Sequence, residues 1–404
     1  ARNTPPGTWI VGRGWHQNKW QGVPEQQVEG YPVHRALSVV SPVHPVLLGH
    51  ASGHMSMVNA KAMELAGLDS ETKAPQGGEI LRDASGNPTG VLRENAMGLV
   101  SRVYGRSQNQ RSDEQKKKDL YTAIELAGRE CVEHGVTSFQ DAGTSYSMVD
   151  VYKQLADQGK LPVRLWIMLS ESNDALARRM HEYRTTGYGN NFVTVRAIKR
   201  LLDGALGTHG AWLLEPYEDL PSSTGLNTLP LESLQRTAEL AAKGDYQLCV
   251  HAIGDRANRE VLNIFEQACK NVPNNKNLRW RIEHAQHLSP EDIPRFGQLG
   301  VIASMQAIHC TSDAPYVVQR LGMRRAKQGA YAWRSLLESG ATIVNGTDVP
   351  VERIDPIACY YAAVTRKLDN DVTFFEEQCM SREEALRTYT RDPAWGAFEE
   401  DVKG

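Results

Sequence analysis

Seven short β-rich runs alternate with longer helical patterns from about residue 135 onwards, and no other feature of the sequence constrains the fold as strongly. The runs span residues 136–140, 163–169, 195–202, 247–252, 280–284, 301–306 and 342–346. Several are apolar at successive positions, as expected of strands that are buried on both faces. Strands that alternate with helices are typical of βα units, so the pattern predicts a parallel sheet covered by helices.

A parallel barrel of this type closes with eight strands, and seven runs leave it one strand short. We therefore predict an α/β fold, a (β/α)8 TIM-like barrel that lacks its first strand. Residues 1–111 do not follow the βα rhythm and contain one predicted helix at about 59–66. We expect them to form an insertion subdomain over the barrel mouth, before strand 2. Residues 112–404 are then the barrel, with strands 2–8 and the C-terminal helices.

Both ends of the chain have the character of a truncated sequence. The chain begins at Ala1 without a methionine, and it stops at Gly404 just after a helical stretch. We therefore expect the missing strand to precede residue 1.

Three of the predicted helices carry a start signal, a serine followed three residues later by glutamine, aspartate or glutamate. Such a pair can form a capping box or a near variant of it, in which each side chain bonds the other residue's backbone N–H. The sequence predicts these starts at Ser112, Ser289 and Ser381.

The charge balance favours a small molecule as the binding partner. Lys+Arg 45 against Asp+Glu 48 give a net charge of -3, which offers no field to attract nucleic acid or an anionic membrane. No apolar run approaches the roughly 18 residues of a membrane span. The six cysteines form no C-x-x-C pair, which favours buried thiols in a reducing, cytoplasmic compartment. A homo-oligomer is possible.

Polar residues end the predicted strands, where the active sites of parallel barrels are built. They are Asp141, Lys199, Asp203, His251, Asp255, Glu283, His284, Gln306, His309 and Asp348. Two imidazoles and a carboxylate among them, those of His251, His284 and Asp348, make a ligand set suited to Zn2+ or a similar divalent ion. Each of the three, taken singly, is also compatible with a hydrogen-bonded structural residue.

Lys199 lies inside a β-rich run, where a charged ammonium group is costly to bury without a partner. In one interpretation it pairs with Asp203 or another carboxylate. In the other, burial favours the neutral amine, which takes up CO2 and becomes a carbamate that bridges metal ions. The sequence leaves both interpretations open.

The order of these motifs resembles the amidohydrolase superfamily, in particular the branch that includes N-substituted formamide deformylase. The resemblance extends over almost the whole chain, and its most specific stretches are residues 198–217, 250–258, 281–293 and 344–351. It implies a metal-dependent barrel in which Lys199, His251, His284 and Asp348 match the ligands of the fourth, fifth, sixth and eighth strands. The implied cofactor is a divalent metal, Zn2+ above all, with one or two ions in the full-length protein.

The resemblance also implies catalytic roles. Asp348 would take a proton from the attacking water and pass it to the leaving amine, and His284 would help to polarise the carbonyl. We further expect a group of substrate-binding residues. They are His54, Trp15, Asp203, Gln306 and His309.

The main departure from the family pattern is the absence of the His-x-His of the first strand. Neither His50 with His54 nor His284 with His287 has that spacing in a strand. The leading hypothesis is nevertheless a metal-dependent hydrolase that cleaves an amide or formamide-like C–N bond through a metal-activated water. The alternatives are a metal-dependent hydrolase of lactone or ester C–O bonds and a non-catalytic barrel scaffold.

Overall fold

A computed structural model describes residues 4–108, 111–270 and 278–403. The chain folds into two compact units, one of Ala1–Lys116 with Asp203–Thr228 and one of Lys117–Leu202 with Leu229–Gly404. The first unit thus includes residues 203–228, which the sequence analysis assigned to the barrel. In the described part of the chain, each helix is too short or too polar to cross a membrane.

The first unit contains a five-stranded sheet with the order β1-β4-β5-β7-β6, in which β1 and β4 are parallel and the other pairs antiparallel. The strands of this unit are β1 (Ile10–Trp15), β2 (Gln27–Val28), β3 (Tyr31–Pro32), β4 (Val46–His50), β5 (Met55–Val58), β6 (Gly78–Arg82) and β7 (Pro88–Glu94). Strands β2 and β3 pair with each other in a separate two-stranded sheet. Its helices are α1 (Arg35–Val40), α2 (Ala60–Ala66) and α3 (Gly98–Gln108). The predicted helix is confirmed as α2, capped by the Asn59 side chain, which accepts from the Ala62 N–H.

The second unit contains a curled parallel sheet with the order β15-β14-β13-β12-β11-β9-β8. All seven predicted runs are confirmed as its strands, with a short β10 added antiparallel to β11. The strands are β8 (Ser138–Thr144), β9 (Arg164–Leu169), β10 (Thr185–Gly187), β11 (Val193–Leu201), β12 (Gln247–Ala252), β13 (Arg281–His284), β14 (Ile302–Met305) and β15 (Ile343–Asn345).

Helices connect the parallel strands and cover the apolar side chains between them. All six residues of β12 and all four of β14 are buried, as expected of strands that are covered on both faces. The helices are α4 (Asp113–Glu133), α5 (Tyr146–Asp157), α6 (Asn173–Tyr183), α7 (Tyr188–Asn191), α8 (Leu231–Lys243), α9 (Asp255–Lys270), α10 (Ile293–Leu299), α11 (Ala307–Gly329), α12 (Trp333–Glu338), α13 (Pro356–Thr365), α14 (Arg382–Tyr389), α15 (Arg391–Gly396) and α16 (Glu400–Lys403).

Two of the three predicted helix starts are confirmed. The Ser112 hydroxyl accepts from the Gln115 N–H at 3.2 Å, at the beginning of α4. At α14 the capping box is complete, because the Ser381 hydroxyl accepts from the Glu384 N–H at 3.2 Å and the Glu384 carboxylate accepts from the Ser381 N–H at 2.8 Å.

The predicted start at Ser289 is wrong. Helix α10 begins at Ile293, and Asp292 precedes it without a side-chain cap. The Asp292 carboxylate instead binds Arg259 at 2.7 Å and Arg295 at 3.0 Å. The two arginines thus engage the Asp292 carboxylate, which a capping box would direct to the Ser289 N–H.

We expect Glu384→Gln to destabilise the fold in a pH-dependent way. The hydrogen bond from Arg334, with those at Ser381, lowers the pKa of Glu384 from 4.5 to about 2. The loss should be about 1 kcal/mol of unfolding free energy near neutral pH, because the ion pair is partly exposed and screened. Since the folded pKa is depressed, the difference from wild type should persist above pH 4.5 and shrink as the pH falls towards 2.

Urea unfolding at a series of pH values measures this difference. Glu383→Gln is the matched control, because Glu383 lies in the same first turn of α14 and is exposed. Equal losses in the two variants would show that the loss reflects negative charge at the helix N-terminus and not the Glu384 contacts.

Candidate metal centre

The parallel register brings three predicted site residues to one edge of the second-unit sheet. His251 lies next to the end of β12, where Ala252 pairs with His284, the last residue of β13. Asp348 follows β15, whose Asn345 pairs with Met305 at the end of β14. The ends of these strands therefore carry imidazole and carboxylate groups along the same edge.

Three side chains at this edge, two of them predicted metal ligands, converge closely enough to share a cation. His284, His309 and Asp348 each offer a ligand atom, and these atoms lie within 4.8 Å of one another. His309 Nε2 is 3.0 Å from Asp348 Oδ2. The ring of His251 lies 4.6 Å from that of His284, between centroids. Among the histidines of the described residues, His309 and not His251 lies in the group with His284 and Asp348.

Sequence reasoning assigned His309 to substrate binding, so its place in this cluster was not anticipated. His309 follows the end of β14 by four residues and lies in the first turn of α11. The spacing Gln306 to His309, one helical turn at a strand end, was the available signal, because it directs both side chains to the same edge.

The cluster perturbs the pKa values of its members strongly. Burial lowers the pKa of His284 to about 4, against the attraction of Asp348. For His309 burial also disfavours protonation, but hydrogen bonds to Asp348 and Glu352 outweigh it and raise the pKa to about 10. Burial would raise the pKa of Asp348, yet the hydrogen bond from His309 prevails and lowers it to about 2. Strong perturbation by burial and specific partners is typical of functional sites.

Gln306, also predicted to bind substrate, contacts His284. Its side-chain oxygen lies 2.7 Å from His284 Nδ1, and its amide nitrogen donates to the Ser304 carbonyl at 3.3 Å. This orientation makes the glutamine oxygen an acceptor, so His284 carries its proton on Nδ1. The Nε2 atom then has its lone pair available for a proton or a metal ion.

Lys199 lies on the polar side of the sheet next to this edge. In register across β11, β12 and β13 it aligns with Cys249 and Arg281, so the three side chains share one face. Lys199 is only 6% exposed. Its positive charge favours the ionised forms of Glu283 and Asp348.

An ion pair lies on the same face. Arg281 Nε is 2.6 Å from Glu283 Oε1, and Ser304 donates to the other Glu283 oxygen at 2.7 Å. Arg281 also donates to the Gln140 side chain at 2.7 Å. Burial would raise the pKa of Glu283, but Arg281 and Lys199 lower it. This face of the sheet therefore carries buried charges, and each lies beside a charge of opposite sign.

The remaining predicted substrate residues lie in the first unit. Trp15 donates its indole N–H to the Leu48 carbonyl at 3.0 Å. His54 Nδ1 contacts Glu94 Oε2 at 2.8 Å. Asp203 is fully buried and accepts from the Trp212 N–H at 2.9 Å. Each takes part in contacts within its own unit, and substrate binding by these residues stays a prediction.

A model of the amidohydrolase family matches residues 1–404, the whole chain. The chain belongs to the amidohydrolase family. This family assignment makes the protein a hydrolase, and it agrees with the family that the sequence motifs resemble.

Three curated relatives align with almost the whole of this amidohydrolase chain. It is 32% identical over 411 residues to Protein LONG AFTER FAR-RED 3 of Arabidopsis thaliana, an alignment with 98% of this chain and 67% of that protein. It is also 32% identical over 411 residues to the putative amidohydrolase YtcJ of Bacillus subtilis (strain 168), with 100% and 73% covered. It is 26% identical over 402 residues to the N-substituted formamide deformylase of Arthrobacter pascens, with 98% and 71% covered.

Two solved structures are similar over the same extent. The amidohydrolase is 27% identical to an uncharacterized metal-dependent hydrolase from Pyrococcus furiosus, with a TM-score of 0.68 and coverage of 98% of this chain and 75% of that one. It is 25% identical to an uncharacterized metal-dependent hydrolase from Pyrococcus horikoshii OT3, with a TM-score of 0.72 and coverage of 100% and 75%. These neighbours support a divalent metal as the cofactor, and the donor set on the sheet edge fits one.

Breaking the buried ion pair of Arg281 and Glu283 should cause a large loss of stability. The size of the loss should depend on whether Glu283 keeps its charge. Arg281→Met leaves the Glu283 carboxylate buried without its main partner, which should cost about 3 kcal/mol, at the lower end of the range because Lys199 also attracts Glu283. Adding Glu283→Gln should restore more than half of that loss, since it removes the uncompensated charge. Urea unfolding of both single variants and the double variant measures the coupling, and strictly additive losses would contradict the ion pair.

Proposed function

We propose that this amidohydrolase cleaves an amide or formamide-like C–N bond of a small molecule with a water activated by a divalent ion. The observation that carries the proposal is the convergence of ligand atoms of His284, His309 and Asp348 within 4.8 Å at the end of parallel strands. Two imidazoles and a carboxylate suit Zn2+, which we propose as the metal. A bound divalent ion supplies an acidified water and polarises the scissile carbonyl.

Asp348 is proposed to act as the proton carrier of the reaction. Its carboxylate would accept the proton that the attacking water loses and deliver it to the leaving nitrogen. Without an ion, the hydrogen bond between His309 Nε2 and Asp348 Oδ2, 3.0 Å long, holds the carboxylate in place at the strand end. The low pKa of Asp348, about 2, keeps its carboxylate ionised at neutral pH.

Lys199 and His251 complete the proposed ligand set. His251 is supported by its ring contact with His284, at 4.6 Å between centroids. The proposed role of Lys199 is supported by its burial, on the face of the sheet that also carries Arg281. We propose that the amine of Lys199, after losing a proton, would add CO2 and lose a second proton to give a carbamate, an anionic group that would help to hold a divalent ion.

A further strand is proposed to pair with β8 and close the barrel. Within β8, Ala142 and Gly143 are exposed and Ser138 to Asp141 are only partly buried, whereas β9 has one exposed residue and β12 none. An edge strand that presents unpaired backbone groups to solvent is an unfavourable end for a parallel sheet.

The substrates that the protein hydrolyses distinguish the proposed C–N cleavage from its alternatives. N-substituted formamides are the first compounds to test, because the Arthrobacter pascens relative is named for deformylating them. A panel of amides, formamides, lactones and esters distinguishes C–N from C–O hydrolysis. A protein that binds Zn2+ and turns over none of them would favour the scaffold.

Asp348→Asn should reduce kcat by about 10²- to 10⁴-fold with KM little changed, because the variant removes a proton acceptor but little volume. Asp369→Asn is the matched control, since Asp369 is exposed in the second unit. Metal content is measured in both variants, so that loss of the ion is distinguished from loss of the base. Normal kcat in a metal-loaded Asp348→Asn protein would exclude Asp348 as the proton carrier.

The 404-residue protein should bind no more than one ion tightly. Three donors converge in its cluster. Unless Lys199 is carboxylated, only His251 is left for a second cation, which is too few donors to offset the dehydration of that cation. Elemental analysis after dialysis gives the stoichiometry, and removal of the ion by a chelator should abolish hydrolysis until Zn2+ is restored. Two ions that survive dialysis would show that other residues supply the missing ligands.

A further inference from the structure

The turn that follows β13 begins with an unfavourable backbone conformation. His284, the last residue of β13, has a φ of 78°, and Ala285 has a φ of 43°. Both values lie in the left-handed region, where the Cβ of an L-residue comes close to the following carbonyl oxygen. Two successive residues persist in this region only where the surrounding structure holds the backbone. The direction of the His284 side chain therefore depends on what holds this turn.

Backbone hydrogen bonds join the turn after β13 to the loop after β12. The Ala285 N–H donates to the Ala252 carbonyl at 3.1 Å, and the His287 N–H donates to the Ile253 carbonyl at 3.0 Å. Ala252 is the last residue of β12. The residues on either side of His284 are thus bonded to the neighbouring strand end.

One buried side chain contacts both of these segments. Asn258 lies in the first turn of α9 and is fully buried. Its side-chain amide nitrogen lies 2.9 Å from the Gly254 carbonyl oxygen, 3.1 Å from that of Ala252 and 3.4 Å from that of His287. The group has two hydrogens, so the longest of the three contacts is the weakest. Asn258 therefore links the start of α9 with the strand end and with the turn after β13.

The three carbonyl oxygens determine which chemical group fits at this position. They surround the amide nitrogen of Asn258, so the group there has to be a hydrogen-bond donor. A carboxylate of the same shape would place an acceptor against three acceptors, in a buried position where the repulsion is not screened by water. Aspartate is thus nearly equal to asparagine in volume and opposite to it in hydrogen bonding.

We propose that Asn258 is a positioning residue of the proposed hydrolysis. Its amide holds the turn after β13 against the loop after β12 and so directs the His284 ring to Gln306, whose side-chain oxygen lies 2.7 Å from His284 Nδ1. Asn258 acts only through His284. The inference rests on the proposed function and adds a residue to which the family resemblance assigns no role.

The competing role for Asn258 is purely structural. A structural residue would lower the free energy of unfolding and leave the folded molecules unchanged. A positioning residue changes the folded molecules themselves, because the turn opens more often and the His284 ring is less well placed. Amide exchange of Ala285 and His287, the nitrogen-15 NMR signal of His284 Nδ1, and the separate values of kcat and KM distinguish the two roles.

The variants are Asn258→Ala, Asn258→Ser and Asn258→Asp. Serine keeps one donor, which suits the Gly254 carbonyl four residues earlier, so this variant retains a local bond and loses the link between the segments. The matched control is Asn263→Asp. Asn263 lies in α9 and is exposed, and its side-chain oxygen accepts from Arg295 at 2.9 Å, a contact that an aspartate retains.

We expect the Ala285 and His287 amides to exchange about tenfold faster in Asn258→Ala and Asn258→Ser, which corresponds to the loss of roughly one hydrogen bond. Exchange should be faster still in Asn258→Asp, and the amides of β9 should keep their wild-type rates. The His284 Nδ1–H signal should shift or broaden. For a formamide that the wild-type protein hydrolyses, kcat should fall about 10- to 100-fold with KM little changed. Asn263→Asp should behave as wild type, and circular dichroism verifies folding.

Unchanged amide exchange in both Asn258→Ala and Asn258→Ser would overturn the inference. So would faster exchange with an unchanged His284 signal or an unchanged kcat, because the role of Asn258 would then be structural. If the variants fail to fold, the wild-type protein decides: the side-chain amide protons of Asn258 should exchange far more slowly than those of Asn263, and equal rates would refute the three contacts. A wild-type protein that hydrolyses no compound of the panel would refute the proposed function instead, while the exchange and His284 measurements, which need no substrate, still decide the role of Asn258.

Discussion

Parallel pairing from β11 to β15 determines which side chains can meet at the edge of the second-unit sheet. Ala252 pairs with His284 and Met305 with Asn345, so that residues at the ends of neighbouring strands are fixed relative to one another. A slip of one residue would turn each side chain to the opposite face. The geometry of the candidate metal centre is therefore a consequence of backbone hydrogen bonds that extend well below it.

The same register buries charge, and the fold compensates for it locally. Arg281 is 1% exposed and lies within 2.6 Å of Glu283, whose second oxygen is bonded by Ser304. An uncompensated carboxylate at this depth would cost several kcal/mol, so the charges have to be acquired as a set. His284 directly follows Glu283 in β13. The stability of this part of the strand thus depends on Arg281, two positions before Glu283.

Sequence reasoning predicted the strands well and the cluster only in part. Continuous apolar runs with helical patterns between them have few interpretations other than a parallel sheet, and the polar residues that end them include His284 and Asp348. His309 was assigned to substrate because its spacing from Gln306 indicates only that it lies at this edge. Its position relative to Asp348 depends on the backbone after β15, which that spacing does not encode. The five-stranded sheet of the first unit was missed because its strands alternate with turns and carry no βα rhythm.

The balance of charge explains why a second carboxylate near His309 is consistent with a single divalent ion. Asp348 and Glu352 carry two negative charges, His309 with its raised pKa carries one positive charge, and Arg281 balances Glu283. A divalent cation bound in place of the His309 proton would leave the cluster close to neutral. An ammonium group on Lys199, which acts on both His284 and Asp348, would oppose that ion. Conversion to a carbamate would exchange this repulsion for a further negative ligand, and the extra charge would then call for a second cation. Carboxylation of Lys199 and the binding of a second ion would therefore be coupled by electrostatics, whichever donors complete the site.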